Sequence, residues 1–344
     1  MRIILVGYGV IGKSVSAILA RRYTEKVADY GLNPKIVAIA DLDGAVINPR
    51  GLSPEKLETV RKRGFPISAD PDFGRPGISA LDVIESVEAE VVVEVTPVNI
   101  NNAEPALSHI TKAFKTGKHV VTTNKGPLAL AMPALTELAE YNNVCFRFSG
   151  TVGGGTPILE FAKRCLEGDK ILTIQGILNG TTNYILSEMS QNRVTFQEAL
   201  SNAQKLGYAE REPSMDVDGF DAACKVVILA NWIMNKKITL RDVDRTGIRG
   251  VLLKSLDEAS KRGNTIKLIG SIDGDKPAVK PSEIAKDNPL CVSGVLNAVT
   301  FSCELAGEQT IIGRGAGGPE TAGAVLRDLL AIRHNLADKM LHEV

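Results

Sequence analysis

The chain has 344 residues, 44% of them hydrophobic and 23% charged, and its 40 basic and 40 acidic side chains cancel to a formal net charge of zero. That length accommodates two domains with ample core, and the mixed charge leaves no electrostatic footprint for nucleic acid or an anionic membrane. Five widely spaced cysteines (Cys145, Cys165, Cys224, Cys291, Cys303) form no CxxC pair, so they read as buried free thiols of a reducing cytoplasm rather than zinc ligands.

Residues 2–6 are a short apolar run, too brief for a signal peptide or a membrane span. Gly7-Tyr8-Gly9-Val10-Ile11-Gly12 follows, then a helix pattern to about Arg22. In a strand-turn-helix of this kind the first glycine permits the tight turn and the second lets a pyrophosphate reach the backbone. The third lets helix and strand pack closely, while the helix N-terminus faces the anion. A purely structural glycine turn is the plainer alternative. A second strand, Lys35 to Ala40, ends in Asp41, where a carboxylate would meet the ribose hydroxyls of an adenine nucleotide. Arg50 and Lys56 are close enough in sequence to fold towards the same ribose and offset that carboxylate, so use of both NADP and NAD is expected, with NADP slightly favoured.

Long loops are expected from Gly44 to Gly51 and Gly64 to Gly77, with a helix near Pro54 to Arg63 between them. Val91-Val92-Val93-Glu94-Val95 is a β-branched run with Glu94 inside it and suits a strand buried on both faces of a parallel sheet. It ends at Thr96-Pro97, on the carboxyl edge where open α/β sheets bind ligands. A helix from Glu104 to Lys115 leads to a strand at His119–Thr122. Thr123-Asn124-Lys125-Gly126-Pro127 then opens another helix, which places Lys125 on the same edge. A strand from Val144 to Phe148 closes this first domain.

Ser149 to Pro157 is a glycine-rich turn, either a linker or a loop whose carbonyls serve a hard cation. Alternation predicts a strand at Ile171–Leu178. Asn179-Gly180-Thr181-Thr182 opens a helix, and Thr195 with Glu198 forms a capping box for the next. Glu210, Asp216, Asp218 and Asp221 then crowd a turn-rich entry to a helix running from about Asp218 through Trp232. The spacing puts Asp218, Asp221 and Lys225 on one helical face. The apolar run after Lys225 makes that helix buried, and a charge there needs a partner or a purpose. A surface Asp–Lys pair is the bland reading. Strand-like runs at Thr265–Ile272, Pro277–Lys280 and Gly294–Leu305 give a mostly antiparallel pattern before a final helix, Glu320 to His334.

With these motifs assembled, the chain resembles the homoserine dehydrogenases over nearly its whole length. The resemblance rests on Gly7 to Gly12, Thr122 to Lys125, Thr151 to Gly155, Ile177 to Tyr184, Gly207-Tyr208-Ala209-Glu210, Asp216 to Lys225 and Gly315 to Gly318. It implies an α/β fold with a Rossmann-type parallel-sheet domain at residues 1–148 and a second α+β substrate domain at 149–310. The C-terminal stretch, 311–344, would return to the first domain. A homodimer is implied, formed through residues 127–143 and the substrate-domain sheet. The implied activity is hydride transfer between homoserine and aspartate 4-semialdehyde with NADP or NAD.

Carried over residue by residue, Lys125 and Lys225 are the catalytic lysines, with Asp221 beside Lys225. Glu210 and Asp216 bind the substrate ammonium, and Gly180, Thr181 and Tyr208 line its pocket. Besides the Gly7–Gly12 turn and Asp41, the cofactor is met by Thr96, Pro97, Lys125, Gly207, Gly315, Ala316 and Gly317. A monovalent cation such as Na⁺ is implied at Val152, Gly154 and Thr156, although Ser149 stands where the family often has a glutamate. Many members carry a C-terminal threonine-sensing domain, and with the final helix close to Val344 none is expected here. The four histidines offer no placed acid or base, which leaves proton transfer to a lysine. Two alternatives remain open on sequence: another Rossmann reductase of amino-acid aldehydes or imines, and a catalytically silent nucleotide sensor.

Overall fold

The structure is a computed structural model that describes residues 1–22, 31–64, 66–274 and 276–342. The chain falls into two compact units, Met1–Thr151 together with the stretch from Gly318 onward, and Val152–Gly317.

In the first unit β1 (Arg2–Val6) leads into α1 (Val10–Arg22), and β2 (Lys35–Asp41) pairs parallel to β1. β3 (Gly44–Ile47) turns back antiparallel on β2. After α2 (Pro54–Arg63), β4 (Gly74–Pro76) adds antiparallel to β3. Then come α3 (Ala80–Ser86), β5 (Val91–Glu94), α4 (Ala106–Lys115), β6 (His119–Thr122), α5 (Lys125–Tyr141) and the two-residue β7 (Phe146–Arg147). The sheet order is β4-β3-β2-β1-β5-β6-β7, parallel from β2 through β7. The chain reverses direction across the sheet between β1 and β5, and the carboxyl ends on either side of such a switch point form a ligand crevice.

The run expected to be buried on both faces is so, Val91 to Val93 being fully buried, as are Ile3 and Ile4 of β1. Ile3, Leu5, Ile39 and Val93 face a core layer closed by Val15 and Leu19 of α1 and by Val325 and Leu329 near the C-terminus. Ile4, Val6 and Val92 face the opposite layer, with Val83, Ile84, Ile110 and Phe114. Phe114 meets Phe146 edge-to-face, centroids 5.2 Å apart. Truncating such a ring to alanine costs about 3–5 kcal/mol.

In the second unit a glycine turn precedes the single-turn α6 (Ile158–Glu160), then β8 (Ile171–Ile177), α7 (Gly180–Asn192), α8 (Phe196–Lys205), α9 (Ser214–Val217) and α10 (Phe220–Ile233). β9 (Asp244–Arg245), α11 (Leu253–Lys261), β10 (Asn264–Asp273), β11 (Ala278–Ala285), β12 (Leu296–Cys303) and β13 (Gly307–Arg314) complete it. The sheet order is β13-β12-β8-β10-β11-β9, antiparallel except where β9 joins β11. α12 (Gly318–His342) then returns the chain to the first unit and packs along α1. A Cβ on Gly318 would press against Ser14 and Val10.

The differences from expectation have local causes. The two supposed loops carry β3 and β4, runs of four and three residues punctuated by Gly44, Gly74 and Pro76, too short for periodicity to register. α3 is a seven-residue helix with a capping box from Ser79 and Asp82 that the sequence reading passed over. β13, whose partner is β12, was also missed, and α12 begins two residues earlier and runs longer than expected. α10 begins at Phe220, not Asp218, because Gly219 in the left-handed region (φ 81°) separates it from α9.

Candidate active site

The glycine turn between β1 and α1 is shaped for close approach. Gly7 has φ 94° and its N–H donates to the Ala40 carbonyl at 2.9 Å. A Cβ on Gly12 would overlap the Gly7 carbonyl, whereas one on Gly9 would meet nothing within 4 Å. The third glycine is thus a packing requirement, and the second leaves backbone open at the helix N-terminus, which fits a pyrophosphate. Asp41 closes the turn: its Oδ2 accepts from the Tyr8 N–H at 2.7 Å and its Oδ1 from Leu42 N–H at 2.8 Å. The Tyr8 ring is buried with its hydroxyl 3.0 Å from Ser16 Oγ, and burial pushes its pKa up. Tyr8 therefore offers its backbone, not its side chain, while Val10 is largely exposed.

The two basic residues expected near Asp41 are elsewhere. Lys56 donates to Asp70 at 2.9 Å and to Asp72 at 2.6 Å. Arg50 lies in a segment that hydrogen-bonds to Ile36 and Val37, at the amino end of β2. Asp41 is at the other end, roughly 20 Å along a seven-residue strand. Arg50 instead helps line a cavity of about 500 Å³ with Met1, Arg2, Asn33, Lys35 and Pro49.

At the carboxyl edge of β5 and β6 a polar network sets the backbone. Glu94, fully buried, accepts from Thr96 N–H at 3.1 Å, from the Thr96 hydroxyl, and from the Thr122 hydroxyl at 3.1 Å. His109 Nδ1 stands 3.8 Å from the same carboxylate. Asn124 caps α5 through Gly126 N–H and donates to the Thr96 and Pro97 carbonyls, both at 3.1 Å. Thr96, Pro97 and the half-buried Lys125, first residue of α5, are thereby held on one edge. His119 accepts from Cys145 N–H at 2.9 Å, so these two histidines serve the framework.

In the second unit α10 is buried from Asp221 to Ala230. Lys225 is 7% exposed, and its ammonium donates to Asp221 Oδ2 at 2.7 Å and to the Leu178 carbonyl at 2.6 Å. Two of its three N–H groups are thereby directed. Asn179, N-cap of α7, donates to Asp216 at 2.7 Å and to Asp221 at 2.9 Å. Burial, then the neighbouring Asp221, pushes the Asp216 carboxyl above its ordinary value, opposed by Asn179, Lys225 and Thr181. Thr181 also donates to the Tyr208 carbonyl at 2.6 Å, and the Tyr208 ring lies 5.1 Å from that of Tyr184.

The structure does not bring every expected residue into this cluster. Asp218 leaves the face of Asp221 and Lys225: it is paired with Arg249 at 2.5 Å, and its carbonyl accepts from Arg245. Glu210 is exposed, and its carbonyl accepts from Gln204 at 3.0 Å. Gly207 has φ 75° and ends α8, the role of a helix-stopping glycine. Gly180 has no room for a Cβ against Val295, nor Gly315 against the Asn297 side chain; Gly317, next to Ala316, has φ 136°. In the turn carrying Val152 and Gly154, Gly153 and Gly154 have positive φ, and the Thr156 hydroxyl donates to the Arg314 carbonyl at 3.2 Å. The Ser149 hydroxyl donates to Asp328 at 2.6 Å. Sequence reading also missed Asn297, which donates to the Leu178 carbonyl at 2.9 Å beside Lys225. Nothing in the sequence signals that bond, because its partners are 119 residues apart.

Comparison with known proteins decides the family. Residues 7–149 match the model of the homoserine dehydrogenase NAD-binding domain and residues 157–330 that of homoserine dehydrogenase itself. The chain belongs to the homoserine dehydrogenase family. It is 46% identical to a homoserine dehydrogenase of Methanocaldococcus jannaschii over 96% of this chain and 98% of that one. It is 40% identical to an NAD(+)-dependent homoserine dehydrogenase of Pseudomonas canavaninivorans, over 99% and 98%. A hyperthermophilic archaeal homoserine dehydrogenase in complex with NADPH superposes with TM-score 0.84 at 28% identity, covering 97% of this chain and 98% of that one. Membership makes the chain an NAD(P)-dependent oxidoreductase with a parallel-sheet NAD-binding domain and a second sheet domain. Among the described residues no helix is long and apolar enough to cross a membrane.

Proposed function

We propose that this chain interconverts L-homoserine and L-aspartate 4-semialdehyde with NAD(P), serving biosynthesis of the aspartate-family amino acids. The observation that carries the reading is the cluster of half-buried Asp216 with buried Asn179, Asp221 and Lys225, which joins an acceptor for an ammonium to a proton-carrying lysine. It favours an amino-acid alcohol over the substrates of an imine reductase and gives a silent nucleotide sensor no reason to bury those charges.

The first unit would hold the dinucleotide through the Gly7–Gly12 turn, Asp41, Thr96 and Pro97, and the bound nicotinamide accepts or returns the hydride. Asp216 would receive the substrate ammonium, with Gly180, Thr181 and Tyr208 around it. Glu210, Gly207, Gly315, Ala316 and Gly317 are carried on the resemblance. Lys225 Nζ, with Asp221 and Leu178 taking two N–H directions, would turn its third position to the substrate oxygen, as an N–H that protonates the developing alkoxide on reduction and as the lone pair of the neutral amine that takes the hydroxyl proton on oxidation. Lys125 would orient the same oxygen or share the transfer. With Lys56 and Arg50 committed elsewhere, Asp41 would favour the 2′-hydroxyl of NAD over the 2′-phosphate of NADP. The Val152 and Gly154 carbonyls with Thr156 would suit a monovalent cation such as Na⁺, held without a carboxylate from Ser149. We infer a cytoplasmic homodimer, supported by cysteines that form no disulfide among the described residues, although Cys165 is exposed and Cys145 and Cys291 half-buried where burial was expected, by the exposed Leu172, Leu305 and Ile312, and by the eight-residue edge strand β13.

Homoserine and 4-hydroxybutyrate, which lacks the ammonium, test the substrate site. The parent should favour homoserine at least about 100-fold in kcat/KM, and Asp216→Asn should lose most of that preference. An unchanged preference in Asp216→Asn would remove this site from the account.

A further inference from the structure

Asn179 is 5% exposed and every polar atom of its side chain is engaged. Its Oδ1 accepts from Thr182 N–H at 2.8 Å and from the Thr182 hydroxyl at 3.0 Å, which caps α7. Its Nδ2 donates to Asp216 Oδ1 at 2.7 Å and to Asp221 Oδ2 at 2.9 Å. A cap alone needs only an acceptor, and serine or aspartate would supply one. The amide is required for the other half of the geometry, where one NH₂ group lies between the buried Asp221 carboxylate and the half-buried one of Asp216. Without a donor between them, like charges at such distances in a partly desolvated site drive one carboxyl to bind a proton.

We infer that Asn179 is a positioning residue that keeps Asp216 and Asp221 ionised together, so that Asp216 stays available to a substrate ammonium while Asp221 stays committed to Lys225. This deepens the proposed function and rests on it. The two carboxylates need separate fates: Asp221 already accepts from Lys225 Nζ at 2.7 Å, whereas among the described residues Asp216 accepts from the Asn179 amide and feels Lys225 only through space. Every group that acts on Asp216 fits the arrangement. Asp221 and Lys225 face it from α10 with opposite signs, Thr181 and Asn179 face it from the start of α7, and burial opposes its charge. A ligand ammonium is the group that would restore the balance. Binding and ionisation of Asp216 are then coupled, and homoserine affinity falls as pH drops through the titration of Asp216.

Asn179→Ser and Asn179→Asp test this, because both keep a capping acceptor. Serine can donate to at most one carboxylate, and aspartate donates to neither while adding a third negative charge. The acid limb of kcat/KM for homoserine should move to higher pH in Asn179→Ser and further in Asn179→Asp, by about one pH unit or more in the latter. Nucleotide affinity should be unchanged. A limb that coincides with the parent's in both variants, or a loss uniform at every pH accompanied by a lower thermal midpoint, would overturn the positioning role. The Asp216→Asn enzyme separates the two levels. If it loses homoserine preference while the Asn179 variants keep the parental limb, only the role of Asn179 fails. If neither changes, the substrate site fails with it.

Discussion

The ammonium of Lys225 lies 2.7 Å from the carboxylate of Asp221, one turn upstream on the same buried helix. An exposed pair at this spacing is worth about 0.2–0.5 kcal/mol. Here both side chains are almost wholly buried, and breaking a buried pair by removing one partner costs about 3–5 kcal/mol. Asp221→Ala, which strands the ammonium, should therefore lower unfolding stability by several kcal/mol. Asp221→Leu combined with Lys225→Met should recover most of that loss, since both charges leave together. Urea unfolding of the single and double variants measures the difference, and an additive cycle would contradict the pairing.

Catalysis separates from stability at Lys225. Lys225→Met and Lys125→Met are each expected to lose at least about 10²-fold in kcat, the ordinary contribution of an acid–base group, with nucleotide affinity retained in Lys225→Met. Steady-state rates with fluorescence titration of the reduced nucleotide give both quantities. Lys225→Met turning over within tenfold of the parent would remove it from proton transfer.

On the proposed reading, cofactor choice turns on Asp41. Its carboxylate sits at the end of β2, with Lys56 held by Asp70 and Asp72. Asp41→Asn should shift the NAD/NADP efficiency ratio towards NADP by about tenfold, through loss of repulsion and of one charged hydrogen bond. Lys56→Ala should leave the ratio unmoved. The reverse pattern would put Lys56, not Asp41, at the ribose.

A second buried lysine predicts an alkaline stability effect. Lys267 is 3% exposed, donates to Asn183 at 2.7 Å and Ser187 at 2.9 Å, and burial pushes its pKa down to about 8. The unfolded side chain titrates near about 10.4. Between those values the unfolded chain binds more protons than the folded one, so this residue makes stability rise with pH across that window. Below about pH 8 both forms are protonated and its contribution is level. Lys267→Met should remove a rise on the order of 2–3 kcal/mol, read from urea midpoints at about pH 8 and about pH 10. An equal rise in parent and variant would assign it elsewhere.

Much of this molecule was legible because its strongest signals are local. The Gly7–Gly12 turn announces itself by spacing, α2 by Ser53, Pro54 and Gly64 at its ends, and α10 by being apolar nearly all round. The Asp221–Lys225 contact follows from four-residue spacing alone. What escaped depends on chain segments meeting from afar. Asp218 looked like part of the same face until Arg249, 31 residues on, drew it away. Asn297 reaches Leu178 across a sheet register, and Arg50 ends at the wrong end of β2 because β3 folds the chain back. Sequence distance from Asp41 could not reveal that reversal.

The most direct measurement is the rate at which the purified chain reduces NAD or NADP with homoserine as the only oxidisable substrate, followed by the absorbance of the reduced nicotinamide. Saturable, homoserine-dependent reduction is expected, at least about 100-fold less efficient with 4-hydroxybutyrate and higher in kcat/KM with NAD than with NADP. Tight nucleotide binding with no homoserine-dependent turnover, or turnover of a secondary-amine substrate in its place, would contradict it.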